Sequence, residues 1–318
     1  MFKKKIIARI SNGFGNQLFL YATSYAFARS LHYKLLLDIK SGFRNLGKFE
    51  NKNAKHSHYL PKFELSVFNL SSSLAPDSLC FNSKFGNVKR KFFSILNPLV
   101  TKKRFIREKR DHKKNTRFNK NILNNVFNDT LYVEGYYESE RYFLNYRTDL
   151  LNEFTFRSPV SCNHDYLKLI NNSNSVSIAL RRNRFSETFT DNQNCIKVNK
   201  SKIFDIEQSK YILNSINFFK KKIDNPTFFI FSDDFTDIEK LIPNNKNIHF
   251  ISDFNTNKIV EDFYLMLQCK HFIVGPTTFH WWAAWLSKSN NTICVRPQNA
   301  FLNPSSNSDF WPSTWSAV

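Results

Sequence analysis

Apolar and polar residues along the chain follow two periods that replace each other in turn. Short runs rich in apolar and β-branched residues, such as 5–10 and 34–39, are typical of buried strands, whereas 16–31 carries apolar residues near helical spacing. A strand, a glycine turn, a helix and a second strand in this order predict a parallel βαβ unit. The same alternation returns in the second half of the chain. The pattern therefore predicts an α/β protein with parallel sheets.

The predicted elements divide the chain into two lobes, with a boundary around 156–163. In the first half the pattern predicts strands at 5–10, 34–39 and 131–136 and helices at 16–31 and 139–154, with 40–125 irregular. In the second half it predicts strands at 175–180, 227–232, 248–251, 272–274 and 292–296 and helices at 209–221, 237–241, 259–270 and 278–287. We therefore assign 1–157 to an N-terminal lobe and 158–318 to a C-terminal lobe. The second is a doubly wound sheet, with ligands expected at the carboxyl ends of its strands.

Positive charge is concentrated in one segment of the first lobe. The formal net charge is +20, and the basic insertion at about 84–120 holds 14 Lys or Arg residues against two acidic ones. Apolar side chains interrupt these charges, a mix that suits a helix lying on a membrane surface, although Pro98 would break such a helix. Two interpretations stay open, a surface for anionic lipid headgroups and a solvated face. Nucleic-acid binding is disfavoured, because no recognised motif accompanies the charge.

The cysteines, histidines and apolar stretches argue against several classes of site. Five cysteines are scattered without a C-x-x-C pair, which disfavours a zinc or thioredoxin-like site and favours a reducing compartment. His56 and His58 are isolated, and no D-x-D ends a predicted strand, so no metal site is predicted. No apolar stretch is long enough for a signal sequence or a membrane span. We expect a cytoplasmic protein, soluble or peripheral on the inner face of the plasma membrane.

The segment 262–286 combines elements that can hold a phosphate. It reads as a buried helix, a short strand, a Pro-Thr-Thr turn and a second helix that opens with two tryptophans. This segment resembles the last motif of the bacterial α-1,2-fucosyltransferases of glycosyltransferase family 11. Three further segments resemble motifs of that family in the same order: N-G-F-G-N-Q-L-F at 12–19, G-Y-Y-E-S-E-R-Y-F at 135–143 and F-S-D-D at 231–234.

The resemblance implies a fold, a reaction and its partners. The fold would be GT-B-like, with two Rossmann-type lobes, the first binding the acceptor glycan and the second the nucleotide-sugar. The reaction would be an inverting, metal-independent transfer of L-fucose from GDP-fucose to a hydroxyl, often of galactose, in a bacterial surface glycan such as an O-antigen. The acceptor would be an oligosaccharide or a lipid-linked glycan. No cofactor beyond the GDP-sugar and no nucleic acid would take part.

A fifth segment resembles the family motif only in part. It reads S-V-S-I-A-L-R-R-N-R-F at 175–185, and Arg181 and Arg182 match the two arginines of the motif. The resemblance assigns Arg181 the catalytic role, since an arginine fork can stabilise the charge of the leaving diphosphate where no metal does so. Ala179, Asn183 and Arg184 replace the histidine, glycine and aspartate of the motif. Either the donor is not GDP-fucose, or the site is rebuilt.

Two other functions stay open because of these departures. One is a transferase of the same fold that uses a different nucleotide-sugar. The other is a glycan-binding relative without activity, against which the retained Arg181 and Arg182 argue.

The remaining donor-binding candidates end strands or begin helices. They are Gly13, Gly15, Asn16, Gln17, Arg182, Ser232, Asp233, Asp262, Thr277, Thr278, Phe279 and His280. The glycines allow close backbone approach, Asn16 and Gln17 offer donors, and the threonine hydroxyls suit a phosphate. His280 would supply a cation or a donor, or simply pack beside Trp281.

The acidic candidates have structural alternatives. Asp233 suits ribose or base recognition, or it caps the next short helix. Asp262 would read the guanine of GDP by resemblance, or it complements a helix dipole. Asp38 and Glu138 are candidates for the general base that takes the acceptor proton.

Overall fold

The part of the chain that can be described forms two compact units. The structure, a computed structural model, describes residues 4–43, 62–108, 118–182, 195–251, 258–289, 291–298 and 309–318. The first unit contains 4–43, 62–108, 118–158 and 309–311, and the second contains 159–182, 195–251, 258–289, 291–298 and 312–318. Across these ranges no helix is long and apolar enough to cross a membrane.

The first unit is built on a parallel sheet. Its strands are β1 (Lys5–Arg9), β2 (Lys34–Asp38), β3 (Ser73–Leu74), β4 (Lys103–Arg107) and β5 (Phe127–Glu134), and its helices are α1 (Phe14–Leu31), α2 (Lys84–Leu96) and α3 (Arg147–Glu153). The described strands lie in the order β3-β2-β1-β5-β4, and every pairing is parallel. Because β1 pairs with β2 on one side and β5 on the other, the sheet has a topological switch point between β1 and β5.

Sequence prediction and structure differ in two places in this unit. The region 40–125, predicted to be irregular, contains β3, α2 and β4. Helix α2 was not predicted as a core helix because none of its residues is fully buried and polar side chains such as Arg90 face the protein. The helix predicted at 139–154 is instead two 3₁₀ turns, Glu140–Tyr142 and Leu144–Tyr146, followed by the short α3.

The second unit is built on a larger parallel sheet. Its strands are β6 (Asn174–Leu180), β7 (Pro226–Ser232), β8 (Ile248–Phe250), β9 (His271–Ile273), β10 (Cys294–Arg296) and β11 (Ser316–Ala317), and its helices are α4 (His164–Asn172), α5 (Cys195–Lys222), α6 (Lys258–Gln268) and α7 (Thr278–Trp285). The described strands lie in the order β11-β10-β9-β6-β7-β8, all parallel. The prediction of an α/β fold with parallel sheets is confirmed.

The core of the second unit explains why β6 and β7 read as continuous apolar runs. Residues 175–180 of β6 are buried without alternation, as expected for a strand covered on both faces. Trp281, Trp282 and Trp285 of α7 are also buried, so the prediction that these tryptophans belong to the core is confirmed. The order in which the strands follow one another reverses between β6 and β9, which is the topological switch point of this sheet. Because these two strands are parallel, the residues after them lie at the same edge.

Candidate active site

Arg181 and Asp233 form an ion pair at the carboxyl edge of the second sheet. Strands β6 and β7 are adjacent and parallel, with Leu180 opposite Ser232, so the next residue of each strand meets the other. The Arg181 Nη1 atom lies 2.9 Å from Asp233 Oδ2, and the two side chains are 39% and 33% exposed. Burial raises the pKa of Asp233, and the Arg181 charge opposes that rise. Solvent and ligands can therefore reach a guanidinium that is already oriented by a carboxylate.

A buried glutamine fixes the backbone of Arg181. Gln208, on α5, accepts a hydrogen bond at its Oε1 from the Arg181 N–H (3.0 Å) and donates from Nε2 to the Arg181 carbonyl (2.9 Å). Its side chain is fully buried. One side-chain amide thus satisfies both the backbone N–H and the carbonyl of Arg181, the residue that follows β6. Sequence reasoning missed this residue, because no local pattern marks a partner 27 positions away.

Arg182 is engaged in the scaffold. Its Nε lies 3.2 Å from Asp205 Oδ2 on α5, with both side chains near 13–14% exposed, and its Nη1 donates to the Thr236 carbonyl at 2.7 Å. Its backbone N–H donates to Asp233 Oδ1 at 2.8 Å. These contacts assign the Arg182 side chain a structural task. The donor-binding role expected for it stays a prediction.

The loop after β7 is held by its own side chains. Ser232 Oγ accepts from the Asp234 N–H (3.2 Å) and donates to the Asp234 carbonyl (2.8 Å), while Asp234 Oδ1 accepts from the Thr236 N–H (2.8 Å). The next 3₁₀ turn, Ile238–Lys240, starts without a side-chain cap. Asp233 is therefore not a helix cap, and its contacts go to Arg181 and Arg182.

Gly275 lets the loop after β9 approach the end of β6. A Cβ at this position would lie 3.3 Å from the Ala179 carbonyl, 3.7 Å from Gln208 Oε1 and 3.9 Å from His280 Nδ1. The 3.3 Å distance to the Ala179 carbonyl is shorter than an ordinary van der Waals contact, and that carbonyl belongs to β6, a central strand of the sheet. Glycine therefore brings the start of α7 against the clamp that holds Arg181.

Two polar atoms at the start of α7 lack partners among the described residues. His280 is only 9% exposed and its Nδ1 accepts no hydrogen bond, and Thr277 Oγ1 is buried without a partner. Burial, assisted by the Arg181 charge, lowers the pKa of His280 to about 3. Burial therefore favours the neutral imidazole in the unliganded protein, and the role of His280 as a cation or donor toward the diphosphate stays a prediction. No side chain caps α7 and no acidic residue lies in its first turn, an arrangement that favours an anion.

The other candidates of the second unit surround this helix start. Thr278 and Phe279 are partly exposed, and the Phe279 ring packs 5.3 Å from that of Phe263. Asp262 is partly exposed and follows Glu261, the acidic residue of the first turn of α6. Glu261 accepts from the Asn163 N–H at 2.9 Å. The dipole alternative therefore suits Glu261 better than Asp262, whose guanine-reading role stays a prediction. Ala179 is buried, and Asn183 and Arg184 lie outside the described residues.

The glycine motif after β1 is arranged differently from what the sequence predicted. The left-handed residue is Asn12 (φ 65°), whereas Gly13 is an extended N-cap (φ −76°) and Gly15 lies inside α1. Gln17 is fully buried, and its amide binds the Asn12 carbonyl (2.9 Å), the Lys62 carbonyl (2.6 Å) and the Glu64 N–H (3.0 Å). The tight turn is therefore not made by the glycine pair, and the side chain of Gln17 belongs to the scaffold.

Asn16 differs from Gln17 in having an unsatisfied oxygen. Its side chain is partly exposed, and its Oδ1 is buried without a partner among the described residues. Asn16 therefore keeps a polar atom available for a ligand.

The two candidates for the general base are both buried. Asp38 is fully buried and binds its own turn, accepting from the backbone N–H groups of Lys40 (3.0 Å) and Ser41 (2.9 Å) and from the Ser41 hydroxyl. These contacts identify Asp38 as a turn anchor. Glu138 is 8% exposed and follows β5, beside the switch point of the first sheet. Its role as a base stays a prediction.

Gly135 shapes the loop that carries Glu138. It has a φ of 152°, and a Cβ there would lie 2.7 Å from the Cβ of Glu108. The Glu108 carboxylate accepts from the N–H groups of Tyr136 (3.0 Å) and Tyr137 (2.6 Å). This second family motif is thus a rigid loop that begins at the carboxyl end of β5, next to the end of β1.

Potential metal ligands are not clustered in the described ranges. No group of three His, Cys, Asp or Glu residues is placed there to hold a metal ion. Metal independence stays a prediction.

Comparison with known proteins places the chain in a family. The glycosyl transferase family 11 model matches residues 5–316. An alpha-1,2-colitosyltransferase of Escherichia coli is 27% identical over 98% of this chain and 97% of its own length, and the O-antigen biosynthesis glycosyltransferase WbnK of Escherichia coli is 24% identical over 92% and 93%. A GDP complex of an FUT1 variant from Arabidopsis thaliana shares the fold, with 12% identity, a TM-score of 0.50 and coverage of 98% and 76%. The chain belongs to glycosyl transferase family 11 and is a glycosyltransferase with the GT-B fold of two Rossmann-type units.

Proposed function

We propose that this enzyme transfers a fucose-type sugar from a GDP-sugar to an acceptor hydroxyl, with inversion and without a metal ion. The observation that carries the proposal is the set of groups around Arg181. A partly exposed guanidinium, the buried unpaired atoms of Thr277 and His280, and the uncapped start of α7 meet at the switch point of the second sheet. Groups of this kind suit a diphosphate.

The chemical step follows from where the charge goes. The acceptor oxygen attacks the anomeric carbon from the face opposite the diphosphate and loses its proton to a general base. The bond from the anomeric carbon to the β-phosphate oxygen breaks, and its electron pair stays on that oxygen. Arg181 and the dipole of α7 stabilise the charge that develops there. Because a guanidinium carries five N–H donors, Arg181 can bind the phosphate while it keeps Asp233.

The rebuilt histidine position bears on the identity of the donor. Ala179 offers no side-chain hydrogen bond where the family motif has histidine, whereas the His280 imidazole and the Ala179 carbonyl both lie next to Gly275, on the neighbouring strand-end loop. The name of the Escherichia coli colitosyltransferase suggests colitose, which is fucose without its 3-hydroxyl, as a second donor sugar. We favour GDP-fucose or GDP-colitose over a donor with another nucleotide.

The acceptor is proposed from the relatives. The name of WbnK supports an O-antigen or a related bacterial surface glycan as the acceptor. Our proposal is that this glycan is an oligosaccharide or is carried on a lipid at the cytoplasmic face of the membrane. The proposed linkage is α-1,2. The first unit would bind this acceptor, with Asn16 as a hydrogen-bonding group.

Donor binding and product analysis test the proposal together. GDP-fucose, GDP-colitose, GDP-mannose and UDP-galactose are compared for thermal stabilisation of the protein, because a ligand that binds the folded state raises the melting temperature. We expect stabilisation by GDP-sugars of the fucose type and by GDP. Stabilisation by UDP-galactose with no response to GDP would overturn the choice of donor. NMR spectroscopy of the glycoside then reads the anomeric configuration and the linkage.

Metal independence is tested on the same reaction. Enzyme treated with EDTA is expected to keep its rate, because Arg181 and the start of α7 supply the positive charge. Loss of transfer that is restored by manganese or magnesium would contradict this part of the proposal.

A further inference from the structure

Helix α2 of the first unit has an apolar face that points away from the protein. Four apolar residues of α2 and Leu99 of the following turn form one stripe at helical spacing: Phe85, Val88, Phe92, Ile95 and Leu99. These five side chains are between 58% and 82% exposed. Clusters of large apolar side chains on a surface usually mark an interaction site.

Polar side chains on the opposite face of α2 hold the helix against the sheet. Arg90 Nη1 lies 2.8 Å from Glu134 Oε2 of β5, and both side chains are nearly buried. Asn97 accepts from the N–H groups of Arg104 (2.8 Å) and Phe105 (3.0 Å) and donates to the Phe105 carbonyl (2.9 Å). Rolling the apolar stripe toward the protein would break these bonds and leave the nearly buried Glu134 carboxylate with only the half-exposed Arg107 as its described partner, which is costly. The stripe is therefore fixed outward.

The sequence around the stripe is basic. Exposed cations flank it on both sides and on the adjoining turn: Lys84, Lys89, Lys91, Lys102 and Arg104. No acidic residue occurs between positions 84 and 107. Phe93, Leu96 and Val100 line a cavity of about 340 Å³ whose edge also carries Lys102 and Arg104. Apolar groups beside cations match the boundary between acyl chains and anionic headgroups.

We propose that α2 and the turn to Val100 insert shallowly into a membrane surface that carries anionic phospholipids. A second copy of the chain fits the stripe poorly, because two such faces would bring their flanking cations together. An acidic protein would satisfy the cations, but it does not by itself account for five exposed apolar side chains in one line. This surface lies in the first unit, and the proposal does not rest on the donor site.

Vesicle flotation with matched variants tests the proposal. The full chain is mixed with vesicles of phosphatidylcholine alone or with phosphatidylglycerol added. The stripe variant Phe85→Ser/Phe92→Ser removes apolar area, and Lys89→Glu/Lys91→Glu reverses two flanking charges. Because all four side chains are exposed, both variants should fold, which circular dichroism and the melting temperature check. The control variant Lys168→Glu/Lys210→Glu makes the same charge change at exposed positions in the second unit.

We expect the unchanged protein and the control variant to bind the anionic vesicles, with affinity falling as salt rises. Each α2 variant should lose roughly tenfold or more in partitioning. Equal binding to both kinds of vesicle, binding to neither, or normal binding by folded α2 variants would overturn the proposal. Stripe-dependent capture by an immobilised acidic polypeptide, without vesicle binding, would reassign the surface to a protein partner. Added GDP should change none of these results.

Discussion

A buried glutamine lies beside the switch point of each sheet, and the two glutamines hold different parts of the structure. Gln17, beside the end of β1, binds three backbone groups of its own unit, and the loops anchored by Asp38 and Glu108 follow other strands of the same parallel sheet. Gln208, beside the end of β6, holds the backbone of an arginine whose side chain is partly exposed. Next to it, Thr277 and His280 keep buried polar atoms without partners among the described residues.

This difference indicates which edge is prepared for a strongly charged ligand. An unpaired buried polar atom costs stability, so a fold that keeps two of them together gains from a ligand that pairs them. At the first edge the side chains of Gln17, Asp38 and Glu108 bind backbone groups of the loops, and the Asn16 oxygen has no described partner, which suits the positioning of a neutral glycan. The following predictions compare the two edges, from the largest expected effect to the smallest.

Replacing Arg181 should lower activity with little loss of stability, whereas replacing Arg182 should lower stability. Arg181→Ala removes the partner of the developing phosphate charge, so transfer should fall by about 10²–10³-fold or more. Its pair with Asp233 is partly exposed, so the loss of stability should stay below about 1 kcal/mol. Arg182→Ala leaves Asp205 nearly buried without its cation and should cost about 2–4 kcal/mol of unfolding free energy.

Steady-state kinetics and urea unfolding on both variants decide this comparison. Arg181→Lys is the conservative control, because it keeps a charge but loses the fork geometry. A folded Arg181→Ala enzyme with near-normal turnover would remove Arg181 from the mechanism.

The two glutamines should give different signatures when replaced by leucine. Either change leaves buried backbone groups unpaired and should cost about 1–3 kcal/mol of unfolding free energy. Gln208→Leu should also lower kcat, since a displacement of about 1 Å in a charge partner can cost about 100-fold. Gln17→Leu should leave kcat nearly unchanged in protein that remains folded. Equal losses of kcat in both variants would erase the distinction between the two edges.

His280 should make stability depend on pH. Its folded-state pKa of about 3 lies below its ordinary value of 6.5, so the unfolded state binds more protons as the pH falls. The neutral imidazole therefore contributes fully above pH 6.5, and this contribution declines as the pH falls toward 3. Between pH 6.5 and pH 5 the loss should be on the order of 2 kcal/mol.

The His280→Gln variant isolates this contribution. Burial also lowers the pKa values of His249 and His271, so the difference between the two proteins in urea unfolding at each pH is the relevant quantity. A diphosphate near the imidazole would favour its protonated form, so GDP binding near pH 5.5 should take up protons in the native enzyme and fewer in the variant. Calorimetry in two buffers of different ionisation enthalpy measures that uptake. Identical pH profiles for the two proteins would contradict the burial of a neutral His280.

Elements whose apolar residues face the core were predicted from the sequence. Elements that direct polar residues toward the protein were predicted only in part. In the second unit the predicted positions of β6, β7 and β9 agree with the structure to within a residue at each end. Helix α5 was predicted only from 209, because Asp205 and Gln208 point polar groups at Arg182 and Arg181 and interrupt its apolar period. Helix α2 lies in a region predicted to be irregular, although its mix of apolar and basic residues was recognised as suiting a helix on a membrane surface.

The candidate site divides in the same way. Arg181, Asp233 and the start of α7 could be found because chemistry-bearing residues at the ends of parallel strands meet at one edge. Gln208 and Asp205 could not, since their roles depend on how α5 packs across the sheet. The tasks of Gln17 and Asp38 also follow from burial, which the motif around a residue does not specify.

Asn16 tests whether the first edge also keeps a group for a substrate. Its Oδ1 lacks a described partner, and one hydrogen bond to an acceptor hydroxyl would contribute about 0.5–1.5 kcal/mol. We therefore expect Asn16→Ala to lower kcat/KM for the acceptor by about 2- to 10-fold, with donor binding and melting temperature nearly unchanged. Acceptor titrations at saturating donor measure the first quantity, and thermal stabilisation by GDP measures donor binding. An Asn16→Ala enzyme with a higher melting temperature and unaltered kcat/KM would show that the unpaired oxygen is only a cost of the turn, and that the first edge contributes rigidity alone.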